Sequence, residues 1–136
     1  FLTEPTEEPW RLRLKGACDE ISFLTDFQRI SKYIPLMETE FDNLGIYIQP
    51  INQGTSYHLE FDVYYEIENN EEINMRSRAI RLKLMANGAF FNRPHGTWAK
   101  DVYANHSKKT IEALKKVKSI FDPNYILNPE GLCFED

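Results

Sequence analysis

The sequence predicts an α+β fold in which helices cover one face of an antiparallel sheet. Three observations predict this class. Apolar and polar residues alternate in several short stretches, which is typical of strands with one buried face. Between these stretches apolar residues recur every three or four positions, which is typical of helices with one buried stripe. The chain has 136 residues, enough for one domain with a single hydrophobic core.

The chain opens with a predicted linker at residues 1–9, where Pro5 and Pro9 lie among acidic residues. The first strand is predicted at residues 10–15, where apolar and basic side chains alternate. Gly16 would end this strand.

The first helix is predicted from Asp19, which can act as its N-cap, to Pro35, which would end it. Apolar residues spaced three or four apart from Ile21 to Ile34 would form its buried stripe. Residues 35–44 favour neither a helix nor a strand.

Two further strands follow. β-branched and aromatic residues predict one at residues 45–51, with Pro50 at its end or in an edge position. Residues 52–54 read Asn-Gln-Gly, which predicts a turn. The clearest strand is at residues 57–67, where apolar and polar side chains alternate throughout.

The second helix is predicted to open at Asn69 or Asn70 and to end at Asn87 and Gly88, since glycine suits the left-handed conformation at a helix C-terminus. Its inward stripe comprises Ile73, Ala79, Ile80 and Leu84. Its solvated side carries four basic residues, Arg76, Arg78, Arg81 and Lys83. A last short strand is predicted at residues 89–92.

The predicted order over residues 10–95 is β-α-β-β-α-β, the plan of ferredoxin-like folds. In that plan the first and third strands are neighbours at the centre of the sheet. Basic residues of the first strand would then face acidic residues of the third: Arg11, Arg13 and Lys15 against Glu60, Asp62 and Glu66.

The remaining residues, 96–136, predict a different arrangement. Residues 98–103 favour about one helical turn, and residues 107–121 favour a C-terminal helix that Asp122 and Pro123 would end. The tail after Pro123 is apolar without either period, so we expect an extended segment that lies on another surface.

Composition excludes several classes of function. The net charge is −5, and no Lys/Arg cluster interleaves with aromatic residues, so we expect no nucleic-acid binding. No apolar run approaches the roughly 20 residues needed to cross a bilayer, and the acidic, proline-containing start is unlike a signal peptide. Cys18 and Cys133 lack metal-ligand spacing, so we expect reduced cysteines, no metal site and a cytoplasmic protein. The chain starts without Met, which indicates a piece of a longer protein.

Arg93 is the main candidate for a functional side chain. It ends a short predicted strand, and Pro94 cannot donate the next ladder hydrogen bond. A permanently charged, planar guanidinium at a strand end suits recognition of a carboxylate or another delocalised anion. The alternative is an ordinary surface ion pair.

Residues 115–129, which read Lys-Lys-Val-Lys-Ser-Ile-Phe-Asp-Pro-Asn-Tyr-Ile-Leu-Asn-Pro, resemble the C-terminal signature of a flavoprotein family. This is the family of FAD-linked oxidases of the vanillyl-alcohol oxidase and para-cresol methylhydroxylase type, with glycolate oxidase and D-lactate dehydrogenase relatives. Residues 50–60 and 88–98 resemble the same family in the same order. The resemblance covers most of residues 45–136.

The resemblance implies a flavoprotein of two domains. An N-terminal domain that this chain lacks would carry most of the FAD site, and residues 10–95 would form the cap domain over the isoalloxazine. Residues 96–136 would return to the missing domain, which is therefore the expected partner. The function implied is oxidation of a small alcohol, phenol or 2-hydroxy acid by hydride transfer to flavin. The isolated chain would be inactive, and homo-oligomers could form through its exposed former interface.

The resemblance also implies roles for single residues. Arg93 matches a family arginine that binds the substrate's phenolate or carboxylate and stabilises negative charge on reduced flavin. Asn92 is a further candidate for substrate binding, and it stands where the aryl-alcohol members carry a tyrosine, so phenol activation is not expected from that position. His58 falls near a cap histidine that some relatives join covalently to the flavin. Its alternative role is that of a hydrogen-bonded strand side chain.

Three other residues are candidates for the site. His95 and Tyr64 would line the substrate pocket, or else be a loop residue and a half-exposed strand aromatic. Asn128 would contact the flavin, although the chain reads Asn-Pro-Glu-Gly where the family has Asn-Pro-Gly-Lys.

Two other classes of function remain open at this point. The chain could be a free-standing ferredoxin-like ligand-binding or regulatory module without flavin, or an interaction module whose aromatic surface docks another subunit. Both predict that residues 122–134 pack on the domain itself or on a second copy. The flavoprotein hypothesis predicts that they are partly exposed.

Overall fold

The computed structural model describes residues 16–94 and 96–127, apart from the side chain of Thr97. It contains three strands and four α-helices: β1 (Ala17–Thr25), α1 (Phe27–Glu40), β2 (Leu44–Ile51), β3 (Ser56–Tyr65), α2 (Asn70–Ala86), α3 (Ala99–Ala104) and α4 (Lys108–Phe121). Single 3₁₀ turns occur at Asn52–Gly54, Ile67–Asn69 and Gly96–Trp98. The expectation of an α+β fold with an antiparallel sheet is confirmed.

The sheet has the order β1-β3-β2, and both pairings are antiparallel. Phe61 of the central strand lies opposite Ile21 on one side and opposite Ile46 on the other. In place of the predicted strand at residues 89–92, the structure has a single bridge between Phe90 and Leu24, with N–O distances of 2.8 and 3.0 Å. Pro94 has no N–H to extend such a ladder.

The first strand of the described part of the chain is β1, which occupies residues for which the sequence predicts a helix. The predicted helix from Asp19 is wrong, because Ile21, Phe23 and Thr25 alternate with more exposed residues and are buried on one face of the sheet. The helix α1 instead begins after Asp26, whose Oδ1 accepts a hydrogen bond from the Arg29 N–H at 3.0 Å.

This shift changes the partner of the central strand. Ser22 and Glu20 of β1 lie opposite Glu60 and Asp62, so the predicted pairing of residues 11–15 with these acids is wrong. Residues 1–15, which include the predicted linker and first strand, lie outside the described part of the chain.

Pro35 does not end α1, contrary to the prediction. The helix continues to Glu40, so most of the unassigned residues 35–44 are helical. Pro35 lies on the solvent side of α1, where water can bind the carbonyl group that loses its partner. Tyr33 and Met37 on either side of Pro35 are buried and hold the helix on the sheet.

The core lies between the sheet and the helices α1 and α2. Its largest fully buried side chains include Tyr33, Phe23, Phe61, Met37 and Ile80. The Tyr33 hydroxyl also donates to the Asn87 carbonyl at 2.9 Å, at the end of α2. Burial of each large apolar side chain stabilises the fold by about 1.5–3 kcal/mol. The two helices therefore hold one face of the sheet, and the strands present their other side chains on the opposite face.

The C-terminal part matches its sequence predictions more closely. Helices occur at α3 and α4, near the predicted residues 98–103 and 107–121. None of the described residues of α4 is buried. After α4 the Asp122 carboxylate accepts hydrogen bonds from the N–H groups of Ile126 and Leu127 at 2.9 and 3.0 Å, which fixes the turn at Pro123.

Candidate functional site

A cleft of about 640 Å³ lies on the sheet face opposite α1 and α2, which we call the open face. All three strands and the loop after Phe91 contribute to it. Its lining comprises Glu20, Ser22 and Leu24 of β1, Tyr47, Gln49 and Ile51 of β2, His58 and Glu60 of β3, and Asn92 and Arg93 of the loop. The volume is within the range of about 300–1,000 Å³ that is usual for small-molecule sites.

The register of the strands arranges these side chains in two rows across the sheet. One row is Ser22, Glu60 and Tyr47, and the next is Leu24, His58 and Gln49. Directly opposed residues of an antiparallel pair point to the same face and lie close together. The floor of the cleft is therefore built from strands rather than from loops, which favours a fixed geometry.

His58 and Glu60 are in contact on this floor. The Nε2 atom of His58 lies 3.1 Å from Oε2 of Glu60. The Glu60 side chain is 2% exposed and that of His58 is 21% exposed. The ring of Tyr47 packs edge-on against the imidazole, with 6.3 Å between the ring centroids. The imidazole is thus held from two sides and still reaches the cleft.

Asn92 and Arg93 reach the cleft from its rim. The preceding residue, Phe91, is buried and packs its ring against those of Phe23 and Trp98, at centroid distances of 5.3 and 5.2 Å. This aromatic contact fixes the start of the loop, and the next two residues are exposed. The loop therefore places a guanidinium beside the floor of the cleft.

Arg81 of α2 contacts both β1 and Trp98 from the helix side of the sheet. It is 5% exposed, and its Nη2 lies 2.8 and 2.9 Å from the two carboxylate oxygens of Asp19 and 3.1 Å from the Glu20 carbonyl oxygen. Its guanidinium lies over the Trp98 ring, 4.9 Å from the centroid. The prediction that Arg81 belongs to the solvated side of its helix is wrong, because Asp19 is a strand residue that faces α2 rather than a helix cap.

Three carboxylates lie together at the end of the cleft nearest Glu20. Oxygen atoms of Glu20, Glu60 and Asp62 are within 4.8 Å of one another, close enough for a cation to bridge them. An acidic cluster alone does not define a metal site, and we assign no ion to it. The thiol of Cys18 donates a hydrogen bond to Asp62 Oδ1 at 3.8 Å. Partial desolvation, together with the charge of Asp62, raises the pKa of Cys18 to about 12.

The structure brings together three of the residues proposed from the sequence, Arg93, Asn92 and His58. Tyr64 lies on the same face but opposite Cys18, with its ring beside Gly45, and it does not line the cleft. His95 and Asn128 lie outside the described residues.

The sequence does not predict the contributions of β1 and β2 to the cleft. The predicted helix from Asp19 contains Glu20, Ser22 and Leu24, and the alternation of Glu20 and Ser22 with Ile21 and Phe23 is too short to favour a strand by itself. Tyr47 and Gln49 showed no feature that separates a cleft residue from any other residue on an edge strand.

Comparisons of the chain with models of known protein families, with curated proteins and with solved structures found no match. Among the described residues, no helix has both the length and the apolar character needed to cross a membrane.

Proposed function

We propose that this chain is the substrate-binding cap portion of an FAD-dependent oxidoreductase that oxidises a small alcohol, phenol or 2-hydroxy acid. The observation that carries the proposal is the cleft on the open face, whose lining includes Arg93, Asn92 and His58. The family resemblance points to the same three positions from the sequence alone. On this view the bridge at Phe90 represents a short fourth strand of a ferredoxin-like sheet beside β1.

Arg93 is the proposed anchor of the substrate. A carboxylate can accept two parallel hydrogen bonds from a guanidinium, which fixes both the position and the orientation of the substrate, and the single oxygen of a phenolate can accept a charge-assisted hydrogen bond from the same group. The buried Phe91 limits the movement of the loop, so the anchor adds orientation as well as charge. The floor beneath it offers polar partners to a bound hydroxyl group, among them Ser22 and Gln49.

The shape of the open face also suits packing against a planar cofactor. It is a sheet surface with a shallow cleft, and its floor at His58 is only partly exposed. A bound flavin would supply the hydride acceptor. This chain would bind the substrate, orient it and limit access of water to the cleft, while a separate FAD-binding domain would hold the pyrophosphate of the cofactor.

The exposed C-terminal surface supports a partner of this kind. Ile120 and Phe121 of α4 are 65% and 78% exposed, and Ile126 is 73% exposed. Large apolar side chains that are this exposed are typical of a surface that another protein segment covers. The flavoprotein hypothesis predicts that residues 122–134 are partly exposed: residues 123–127 are exposed, Asp122 is buried at 3% exposure, and residues 128–134 lie outside the described part.

One observation favours a second candidate, a ligand-binding module that works without flavin. The described lining of the cleft comes from three strands and a loop of this chain, so a small anion has polar partners here without a second domain. Such a module would use Arg93 in the same way but would transfer no hydride.

The visible spectrum of the full-length polypeptide that carries this segment tests the proposal. We expect a flavin spectrum that bleaches anaerobically with a 2-hydroxy acid or a phenol, and much slower bleaching after Arg93→Ala. Arg78→Ala is the matched control, because Arg78 is an exposed arginine that binds Asp101 on the helix side. If no flavin copurifies and none can be added back, the module without flavin replaces the proposal.

A further inference from the structure

We propose that His58 accepts the proton of the substrate's hydroxyl group and that Glu60 is the positioning residue that prepares it to do so. This inference rests on the proposed function and adds to it the residue that completes the oxidation. It differs from covalent attachment of flavin to His58, because it requires that a ring nitrogen remain an acceptor.

The position of the pair follows from strand geometry. His58 and Glu60 are two residues apart on β3, so both point to the open face. Glu60 lies at the base of the cleft at 2% exposure, whereas His58 is more exposed above it. A carboxylate at the base and an imidazole nearer the ligand is the order that proton transfer to the imidazole requires.

The contact with Glu60 favours one tautomer of His58. A carboxylate oxygen accepts hydrogen bonds, so the tautomer that bonds to Glu60 is the one with its proton on Nε2, 3.1 Å from Oε2. The lone pair is then on Nδ1, which can accept a proton. Contact with Tyr47 limits rotation of the ring away from this arrangement.

His106 provides a contrast within the same chain. Its Nδ1 lies 3.0 Å from the Val102 carbonyl oxygen, which can only accept, so the proton of His106 is on Nδ1. Its ring packs against Tyr103, away from the cleft. The two histidines are thus expected to be opposite tautomers.

The chemistry of a 2-hydroxy acid fits the two sides of the cleft. With its carboxylate on Arg93, the hydroxyl group on the adjacent carbon can reach a second group on the floor. His58 Nδ1 would take the O–H proton of the substrate as its carbonyl group forms, and a bound flavin would supply the acceptor for the hydride that leaves with the electron pair of the C–H bond. The adjacent carboxylate of Glu60 stabilises the imidazolium that results, and the proton then passes to water at the exposed edge of the ring.

Long-range ¹H–¹⁵N correlation spectra of this chain test the inference without any turnover. The sequence contains three histidines, and His58→Gln and His106→Gln assign the signals. At slightly alkaline pH we expect His58 to carry its proton on Nε2 and His106 to carry it on Nδ1. A His58 that is protonated on Nδ1, or on both nitrogens, overturns the inference.

Lactate and propionate are matched probes, since propionate has the carboxylate but lacks the hydroxyl group. We expect both acids to shift the Arg93 side-chain signals and only lactate to shift His58 Nδ1. If both shift Arg93 and neither shifts Nδ1, the inference fails while the anchor role stands. If neither shifts Arg93, the proposed function fails and the inference fails with it.

Glu60→Met isolates the role of the positioning residue because it removes both oxygens, with Glu66→Met at an exposed position as its control. We expect a smaller share of the Nε2–H tautomer of His58 in Glu60→Met and no change in Glu66→Met. An unchanged tautomer in both variants would show that Glu60 does not position the ring.

Discussion

The two faces of the sheet differ in what they bury. Toward α1 and α2 the central strand β3 presents Leu59, Phe61 and Val63, each at most 1% exposed. Toward the open face the same strand presents His58, Glu60 and Asp62, and both acids are only 2% exposed. Alternation along one strand therefore separates apolar packing from polar chemistry, and burial alone does not distinguish the two faces.

The largest effect should come from truncation on the helix side. Phe61→Ala removes a ring with no exposed area at the centre of the core and should lower the free energy of unfolding by roughly 3–5 kcal/mol. The neighbouring Glu60→Gln keeps the size of the side chain and an oxygen acceptor for His58, so its loss should be much smaller. Urea denaturation of both variants measures the difference, and equal losses would contradict the contrast between the faces.

The second-largest loss of stability should come from Arg81, which joins α2 to β1. Arg81→Ala leaves the Asp19 carboxylate, which is 19% exposed, without its guanidinium partner, and should cost roughly 3–5 kcal/mol. Arg78→Ala, on the same helix but with an exposed arginine, should cost far less. Thermal unfolding compares them, and a similar drop in Tm for both would show that burial of Arg81 contributes little.

The smallest effect is a pH dependence at the edge of the open face. Because the pKa of Cys18 rises from 9.0 to about 12 in the folded chain, the folded state keeps the thiol proton that the unfolded state loses in this interval. The contribution of Cys18 to stability is complete below pH 9 and is lost as the pH rises toward about 12.

Urea denaturation at several alkaline pH values, with Cys18→Ser as the control, measures this dependence. The control should lose the part of the decline that Cys18 causes. Asp62→Asn should also speed alkylation of Cys18, because it removes the nearest negative charge. Equal alkylation rates with and without the Asp62 charge would contradict the assigned cause.

The contrast between local patterns and tertiary pairing also explains which parts of the fold can be predicted from the sequence. The alternation at β3, the helix at α2 and the turn at Gly88 are local patterns, so their prediction needed no knowledge of tertiary contacts. At β1 the spacing of Ile21, Leu24 and Phe27 satisfies a helix, and only the pairing with β3 decides for a strand. Local periodicity is ambiguous when it agrees with both periods over a short stretch.

The site was predictable only in part for the same reason. Arg93 was recognisable from its place before Pro94, since that signal is local. The row formed by Ser22, Glu60 and Tyr47 depends on the register in which the three strands pair. The sequence of one strand alone does not specify this register. Arg81 was misplaced because its burial depends on Asp19, which is 62 residues away.

The most direct test of the account is a map of backbone amide shifts as this chain is titrated with lactate. The account predicts that the largest shifts occur on the open face, at Ser22, Gln49 and Arg93, with little change at Met37 in the core. The largest shifts at a different groove, beside Met85, Asn105 and His106, would contradict it, as would the absence of any shift at Arg93.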